Sequence, residues 1–292
     1  MNITLMNNSP IHALWIGTQL SPIELLCIHS FLEHGHDFHL WVYDSIETPL
    51  PDAVILEDAS LIIPKEEVFC YKNTNQFGHG KGSFAGFSDL FRYKLLHEQG
   101  GWWVDMDVIC LRPLEFEEDY VFRTHHDFPV VGNIMKCPKG SPLMYDCYCE
   151  TKISVDAENI DWNKPIEILN RNIVKHQLQS QIKEITNPDS WLFVRKLLYK
   201  NTNLPENWYA IHLLNEEWRR NKINKMAIPH RSTVGRLLKQ YLLESNHTFV
   251  EVAINYFVII IPVHSVKMKE LPKVLFQIVS NCFWKTVRIF KK

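Results

Sequence analysis

The sequence predicts an α/β fold with a mostly parallel central sheet, and three observations carry that reading. An apolar run over residues 11–16 closes on Gly17, residues 22–31 follow with Leu25, Leu26, Ile28 and Leu32 at helical spacing, and residues 39–43 are extended and aromatic. Strand, helix and strand in that order make a βαβ unit. A second passage from helix to strand occurs at Gly100-Gly101, beyond which Trp102-Trp103-Val104 has strand composition. Finally, 292 residues, 46% hydrophobic and 22% charged, suffice for one substantial core or one domain with a modest appendage.

Taken in order, the first strand brings Trp15 and Gly17 to its carboxyl end, where parallel sheets place ligands, although Trp15 also reads as plain core. Residues 70–87 hold Gly78, Gly80, Gly82 and Gly86 among few large apolar residues and read as a loop, either simply flexible or a lid over a ligand. They are no phosphate-binding loop, because Lys81 is followed by Gly82 rather than Ser or Thr, and Ser83 breaks the dinucleotide-binding glycine spacing. Ser88 can cap a helix running to Gln99, with Phe87, Leu90, Phe91 and Leu95 on one face and Gly100-Gly101 ending it. Asp89 and Arg92 then stand three apart on one side. Downstream, residues 130–135 read as a strand, 141–149 as a helix, and 207–218 as a strand passing into a turn. The apolar stretch 249–263 contains Glu251 and Asn255, is short for a bilayer span and reads as a buried strand pair. From Lys273 onward, Leu275, Val279, Phe283, Val287 and Phe290 share one helical face, a basic amphipathic extension.

Charge and cysteine usage bound the function. The net charge is −2, but residues 266–292 hold seven Lys or Arg against Glu270 alone, so the rest carries about −8. A body of that sign excludes general nucleic-acid binding, which needs a basic footprint, whereas the tail suits an anionic membrane surface. Seven scattered cysteines include no CxxC pair, which argues against zinc, and their free thiols suit a reducing compartment. The start, Met1-Asn2-Ile3-Thr4, lacks the basic flank and apolar run of a signal peptide, so the expected location is cytoplasmic, peripheral on the membrane's cytoplasmic face.

The chemistry centres on Asp105-Met106-Asp107. On an extended segment, residues two apart point to one side, so the carboxylates converge while Met106 faces the core. Two such carboxylates repel unless a cation or proton joins them, and oxygen ligands suit Mn²⁺ or Mg²⁺, which bridge phosphate oxygens. A lone pair of this spacing is also a common solvated turn. Asp89 and Arg92 likewise admit a plain helical ion pair. A histidine such as His212, between Ile211 and Leu213, is ordinarily a satisfied core residue. Asn133, after Val130-Val131-Gly132, suits a hydroxyl contact or a turn. His34, His36 and His39 read as loop residues, and His125-His126 as ordinary polar residues of the surface.

The run Phe87-Ser88-Asp89-Leu90-Phe91-Arg92 through Gly100-Gly101-Trp102-Trp103-Val104-Asp105-Met106-Asp107 closely resembles the DXD sugar-binding region of glycosyltransferase family 32 and its relatives, among them yeast-type mannosyltransferases, bacterial polysaccharide transferases and glucosylating toxins. Ile11-His12-Ala13-Leu14-Trp15-Ile16-Gly17 resembles the family's first strand, and Tyr209-Ala210-Ile211-His212-Leu213-Leu214-Asn215-Glu216-Glu217-Trp218 its closing motif. The resemblance spans about residues 10 to 220 and implies a GT-A nucleotide-binding sandwich. It also implies that Trp15 stacks on the base, that Asp89 and Arg92 contact sugar hydroxyls, that Asp107 ligates the metal directly, and that Asp105 reaches the ribose and, through water, the metal. His212 is implied as a metal or diphosphate ligand and Asn215, with Asn133, as a donor-binding residue. Asp105, Asp107 and Asp89 are then the catalytic candidates. Leu214 departs from the pattern, since relatives commonly carry Trp there.

The resemblance therefore implies a GT-A catalytic domain over residues 1–230, with 231–292 as the C-terminal extension. The implied reaction is metal-dependent transfer of a hexose, with retention, from a nucleotide-diphosphate sugar to a glycan hydroxyl, with a lipid-linked surface polysaccharide as the expected acceptor. Mn²⁺ or Mg²⁺ is the expected cofactor. Glucosylation of a protein side chain is the second expectation, and a catalytically inactive nucleotide-sugar-binding protein the third.

Overall fold

The computed structural model describes residues 9–75, 78, 80–158, 161–243 and 247–260. The chain opens with strand β1 (Ile11–Trp15), helix α1 (Pro22–Glu33), and strands β2 (Phe38–Val42) and β3 (Val54–Asp58). Helix α2 (Ala85–Gln99) leads into β4 (Gly101–Val104), β5 (Val108–Cys110), β6 (Val121–Thr124) and β7 (Val130–Cys137). Then come α3 (Pro142–Ser154), α4 (Lys164–Lys175), β8 (Ile182–Lys183), α5 (Trp191–Tyr199), β9 (Ala210–His212), α6 (Asn215–Arg220), α7 (Thr233–Gln240) and α8 (Phe249–Ile260).

Seven strands form one sheet in the order β3-β2-β1-β4-β7-β6-β8, and β5 pairs with β9 in a small antiparallel ribbon. Within the large sheet β7 runs against both neighbours, while every other pairing is parallel. The mostly parallel α/β sheet expected from the sequence is thus present. Side-chain alternation divides the core into two layers. Ile11, Ala13, Phe38, Leu40, Trp102 and Val104 pack with α1 and α5 on one face, whereas Leu14, Trp41, Trp103 and Met135 pack with α2, α3 and α4 on the other. Burial on both faces is why these strands read as continuous apolar runs. Helix α1 starts where Ser21 and Glu24 form a reciprocal capping box with Pro22 in the first turn.

Four details differ from the sequence reading. Helix α2 begins at Ala85, whose N–H donates to Ser83 Oγ at 3.2 Å, so Ser88 lies inside the helix rather than capping it. Gly86 is a contact position, not a flexible one, because a Cβ there would meet Tyr71 Oη at 2.1 Å. Residues 249–260 are helix α8, not a strand pair. Thr248 and Glu251 cap it reciprocally, and Asn255 and Ile259, four apart, form its buried face. Asn255 spends its amide on Asn224 and Ala227, which locks the helix to the chain before α7. His36 is buried, accepting the Leu114 N–H on Nε2 at 3.0 Å, and His39 lies in β2 beside Glu57. These two are structural rather than loose loop residues. Helix α7 packs against α1 and α5, and α8 against α5. The amphipathic segment from Lys273 lies outside the described residues, as do residues 261–263. Among the described residues no helix is long and apolar enough to cross a membrane.

Candidate active site

The carboxyl ends of β1 and β4 open into a cleft of about 670 Å³. Trp15, Asp89, Arg92, Asp105, Asp107, Asn133, His212 and Asn215 all line it, so every site residue singled out from the sequence is gathered in one place. The first strand delivers Trp15 as its last residue, β4 delivers the aspartates just beyond its end, α2 supplies Asp89 and Arg92, and β7 supplies Asn133.

The aspartates converge through a turn rather than along an extended strand. Val108 N–H donates to Asp105 O at 3.0 Å, closing a turn between β4 and β5 with Met106 buried beneath it. Asp105 N–H donates to Asn133 O at 2.9 Å, which fixes the turn to β7. The side chain of Asp105 accepts Trp103 Nε1–H at 2.8 Å and lies 3.2 Å from Arg92 Nη2. The same Arg92 nitrogen is 3.2 Å from Asp89 Oδ1, so the guanidinium bridges two carboxylates. It reaches them across Gly132, where a Cβ would stand 2.6 Å from Arg92 Nη1. Burial pushes Asp89 up to about 6 against the pull of Arg92, with Asp105 adding to the rise.

Asp107 occupies a different environment. Its Oδ2 accepts Asn215 N–H at 2.6 Å and is 3.4 Å from His212 Nε2. Burial alone would raise its pKa, but the adjacent His212, the Asn215 N–H and Lys225 outweigh it and hold the carboxyl below its ordinary range. Asp105 is instead raised, by burial opposed by Arg92 and reinforced by Asp107. Burial would lower His212, yet Asp189 and Asp107 bring it up to about 10. Leu214, which precedes α6 in the left-handed region at φ 57°, turns the chain so that Asn215 presents its N–H to Asp107.

Four further residues, Trp103, Arg123, Asp189 and His125, belong to the same site. Trp103 supports Asp105 as described. Arg123, wholly buried on β6, donates Nη1 to both oxygens of Asp189 at 2.9 Å and to Asn133 Oδ1 at 3.1 Å. Because an arginine only donates, Asn133 must turn its Nδ2 away from it, and that buried Nδ2, like Trp15 Nε1, has no partner among the described residues. His125, which reads in the sequence as an ordinary surface residue, is half-buried in the cleft wall. Its Nδ1 accepts the Asp127 and Phe128 N–H groups, its Nε2 is 3.5 Å from Asp189, and burial holds it down to about 4. An arginine inside the apolar strand of residues 121–124 was the available signal for the Arg123 network. Nothing local in Thr186-Asn187-Pro188-Asp189 distinguishes it from a turn.

Ligand atoms of Asp105, Asp107 and His212 all lie within 4.8 Å of one another. Two carboxylates and an imidazole are donors that Mn²⁺ and Mg²⁺ accept, so the set is a possible metal site. A second group, His125, His126 and Asp127, stands at the cleft rim with its last two members exposed.

Residues 42–126 match the family described as the glycosyltransferase sugar-binding region containing DXD motif. No curated protein matches the chain. Among solved structures, one described as PaToxG glycosyltransferase aligns at 13% identity over 86% of this chain and 85% of its own, with a TM-score of 0.40. Another, described as a transferase mutant, aligns at 13% identity over 58% of this chain and 85% of its own, with a TM-score of 0.35. The matched segment includes α2, β4 and the two aspartates, and the chain therefore carries a glycosyltransferase-type DXD sugar-binding region.

Proposed function

We propose that the protein is a metal-dependent glycosyltransferase of the GT-A type, moving a hexose from a nucleotide-diphosphate sugar to a hydroxyl of a glycan acceptor. The observation that carries this is the single cleft lined by Trp15, Asp89 and Arg92 together with the clustered Asp105, Asp107 and His212. A divalent cation held by Asp107, Asp105 and His212 would offset the charge of a departing diphosphate. Trp15 offers a ring for the base. Arg92, tied to both Asp89 and Asp105, couples the sugar side of the cleft to the phosphate side, and its two partners hold the planar fork in place. The orphan N–H groups of Asn133 and Trp15 are costly when buried, by about 1–3 kcal/mol each, and a bound ligand oxygen would satisfy them.

The resemblance to glycosyltransferase family 32 adds retention at the anomeric carbon to the proposal. A lipid-linked acceptor at an anionic membrane surface is its final part, supported by the seven Lys or Arg of residues 266–292 and by the exposed Val250 and Ile254 of α8. The test is hydrolysis of UDP-Gal, UDP-Glc, UDP-GlcNAc and GDP-Man with Mn²⁺ present. One donor should be consumed and EDTA should stop it; binding of donors without turnover in any metal would contradict the enzymatic reading.

A further inference from the structure

Arg123 is a long cation inside an apolar strand, with a side chain only 1% exposed, and most of its hydrogen bonds go to Asn187 and Asp189. Nη1 reaches both oxygens of Asp189, Nη2 donates to Asn187 O at 3.0 Å, and Nε donates to Thr124 O at 3.1 Å. A buried guanidinium is tolerated only with such full pairing, and the pairing fixes Asp189 in return. Asp189 Oδ1 then meets His212 Nδ1 at 2.9 Å. A carboxylate accepts and does not donate, so Nδ1 carries a proton and Nε2 is the ring atom turned to Asp107. The same segment grips the His212 main chain from both sides. Its N–H donates to Asn187 Oδ1 at 2.7 Å, and its carbonyl accepts Asn187 Nδ2 at 3.1 Å.

We propose that Asp189, held by Arg123, is a positioning residue that fixes the direction of the His212 ring, so that Nε2 faces Asp105 and Asp107 as the nitrogen a divalent cation would take on displacing its proton. The inference rests on the metal-dependent reading above. It follows the general rule that a ligating histidine gives its second nitrogen to a carboxylate, whose loss weakens metal binding. A merely structural ion pair would share the contacts between Arg123 and Asp189 but would have no reason to act through His212.

The test is Mn²⁺ binding to the full chain, read from the EPR signal of free Mn²⁺, for wild type, Asp189→Asn, His212→Ala and the double variant. Asp189→Asn should weaken binding about 10- to 100-fold, with unchanged circular dichroism. The double variant should bind no more weakly than His212→Ala alone, because Asp189 acts only through that ring. Unchanged Mn²⁺ affinity in folded Asp189→Asn, or losses that multiply in the double variant, would overturn the inference. If Asp189→Asn does not fold, wild type decides: long-range ¹H–¹⁵N spectra with saturating Mg²⁺ should show His212 protonated on Nδ1 and bare on Nε2, and the opposite tautomer refutes the proposal. Wild type that binds no Mn²⁺ removes the metal reading and this inference together, whereas wild-type binding with an unaffected Asp189→Asn removes the inference alone.

Discussion

Gly132 decides where Arg92 can lie. Its missing Cβ leaves the space through which the guanidinium reaches Asp89 and Asp105, and both partners line the cleft themselves. Gly132→Ala should therefore push the fork aside, at a cost of about 1–3 kcal/mol for overpacking, and lower donor hydrolysis by about tenfold or more. Steady-state kinetics beside a melting curve check this; a folded variant with wild-type turnover would return Arg92 to a bystander. Arg92→Lys should lose donor use as well, because an ammonium gives up the planar group that reaches across Gly132 and lies 5.3 Å from the Trp103 ring centre. At this scale the sequence was informative where partners are close in the chain. Asp89, Arg92, Asp105 and Asp107 lie within one helix and the strand and turn after it, and their spacing alone brings them together. Asp189 meets Arg123 across 66 residues and His212 across 23, distances that only the folded sheet closes.

The element that matters most is the junction of α2 and β4. Gly100 ends the helix at φ 71° and ψ −163°, a region open essentially to glycine, and a Cβ there would stand 2.4 Å from the backbone nitrogen of Lys139. Backbone cannot move aside as a side chain can. Gly100→Ala should cost about 2 kcal/mol or more and shift β4 with the aspartates that follow it, so thermal unfolding and donor hydrolysis should fall together. A variant with wild-type melting and activity would show that the junction tolerates rearrangement. Paired glycines made this junction legible in advance, and hydrophobic period did the same for the βαβ start. The beginning of α2 is hidden in the sequence because a glycine-rich stretch signals flexibility, whereas Gly86 is small in order to admit Tyr71. Helix α8 reads as strand because ten of its twelve residues are Val, Ile, Phe, Ala or Tyr, and its helical signal lies in Thr248 and Glu251 and in the polar Asn255.

For the molecule as a whole, buried histidines couple stability to pH: in the cleft His125 is held low and His212 high, and outside it two more, His36 and His12, are held low. His36 must be neutral to accept the Leu114 N–H, and burial holds it down to about 4. His12 accepts Trp41 Nε1–H at 3.1 Å, and burial with the nearby His39 holds it down to about 3. In the unfolded chain both would titrate near 6.5. Below that pH the unfolded state binds more protons, so their contribution is intact above about 6.5 and is lost as pH falls toward 4. The urea midpoint should drop between pH 7 and pH 5, and His36→Gln should flatten that dependence; a midpoint unchanged or higher at pH 5 would contradict it. The same fold that keeps these rings dry brings β1, β4, β7 and β9 to one cleft, and the central claim is that this cleft works through a metal held by Asp107. The most direct measurement is hydrolysis of the preferred nucleotide sugar by wild type and by Asp107→Asn with Mn²⁺ present, at matched circular dichroism. A loss on the order of 100-fold or more is expected in Asp107→Asn, since the shape is kept and the charge removed, and turnover within a few-fold of wild type would contradict the claim.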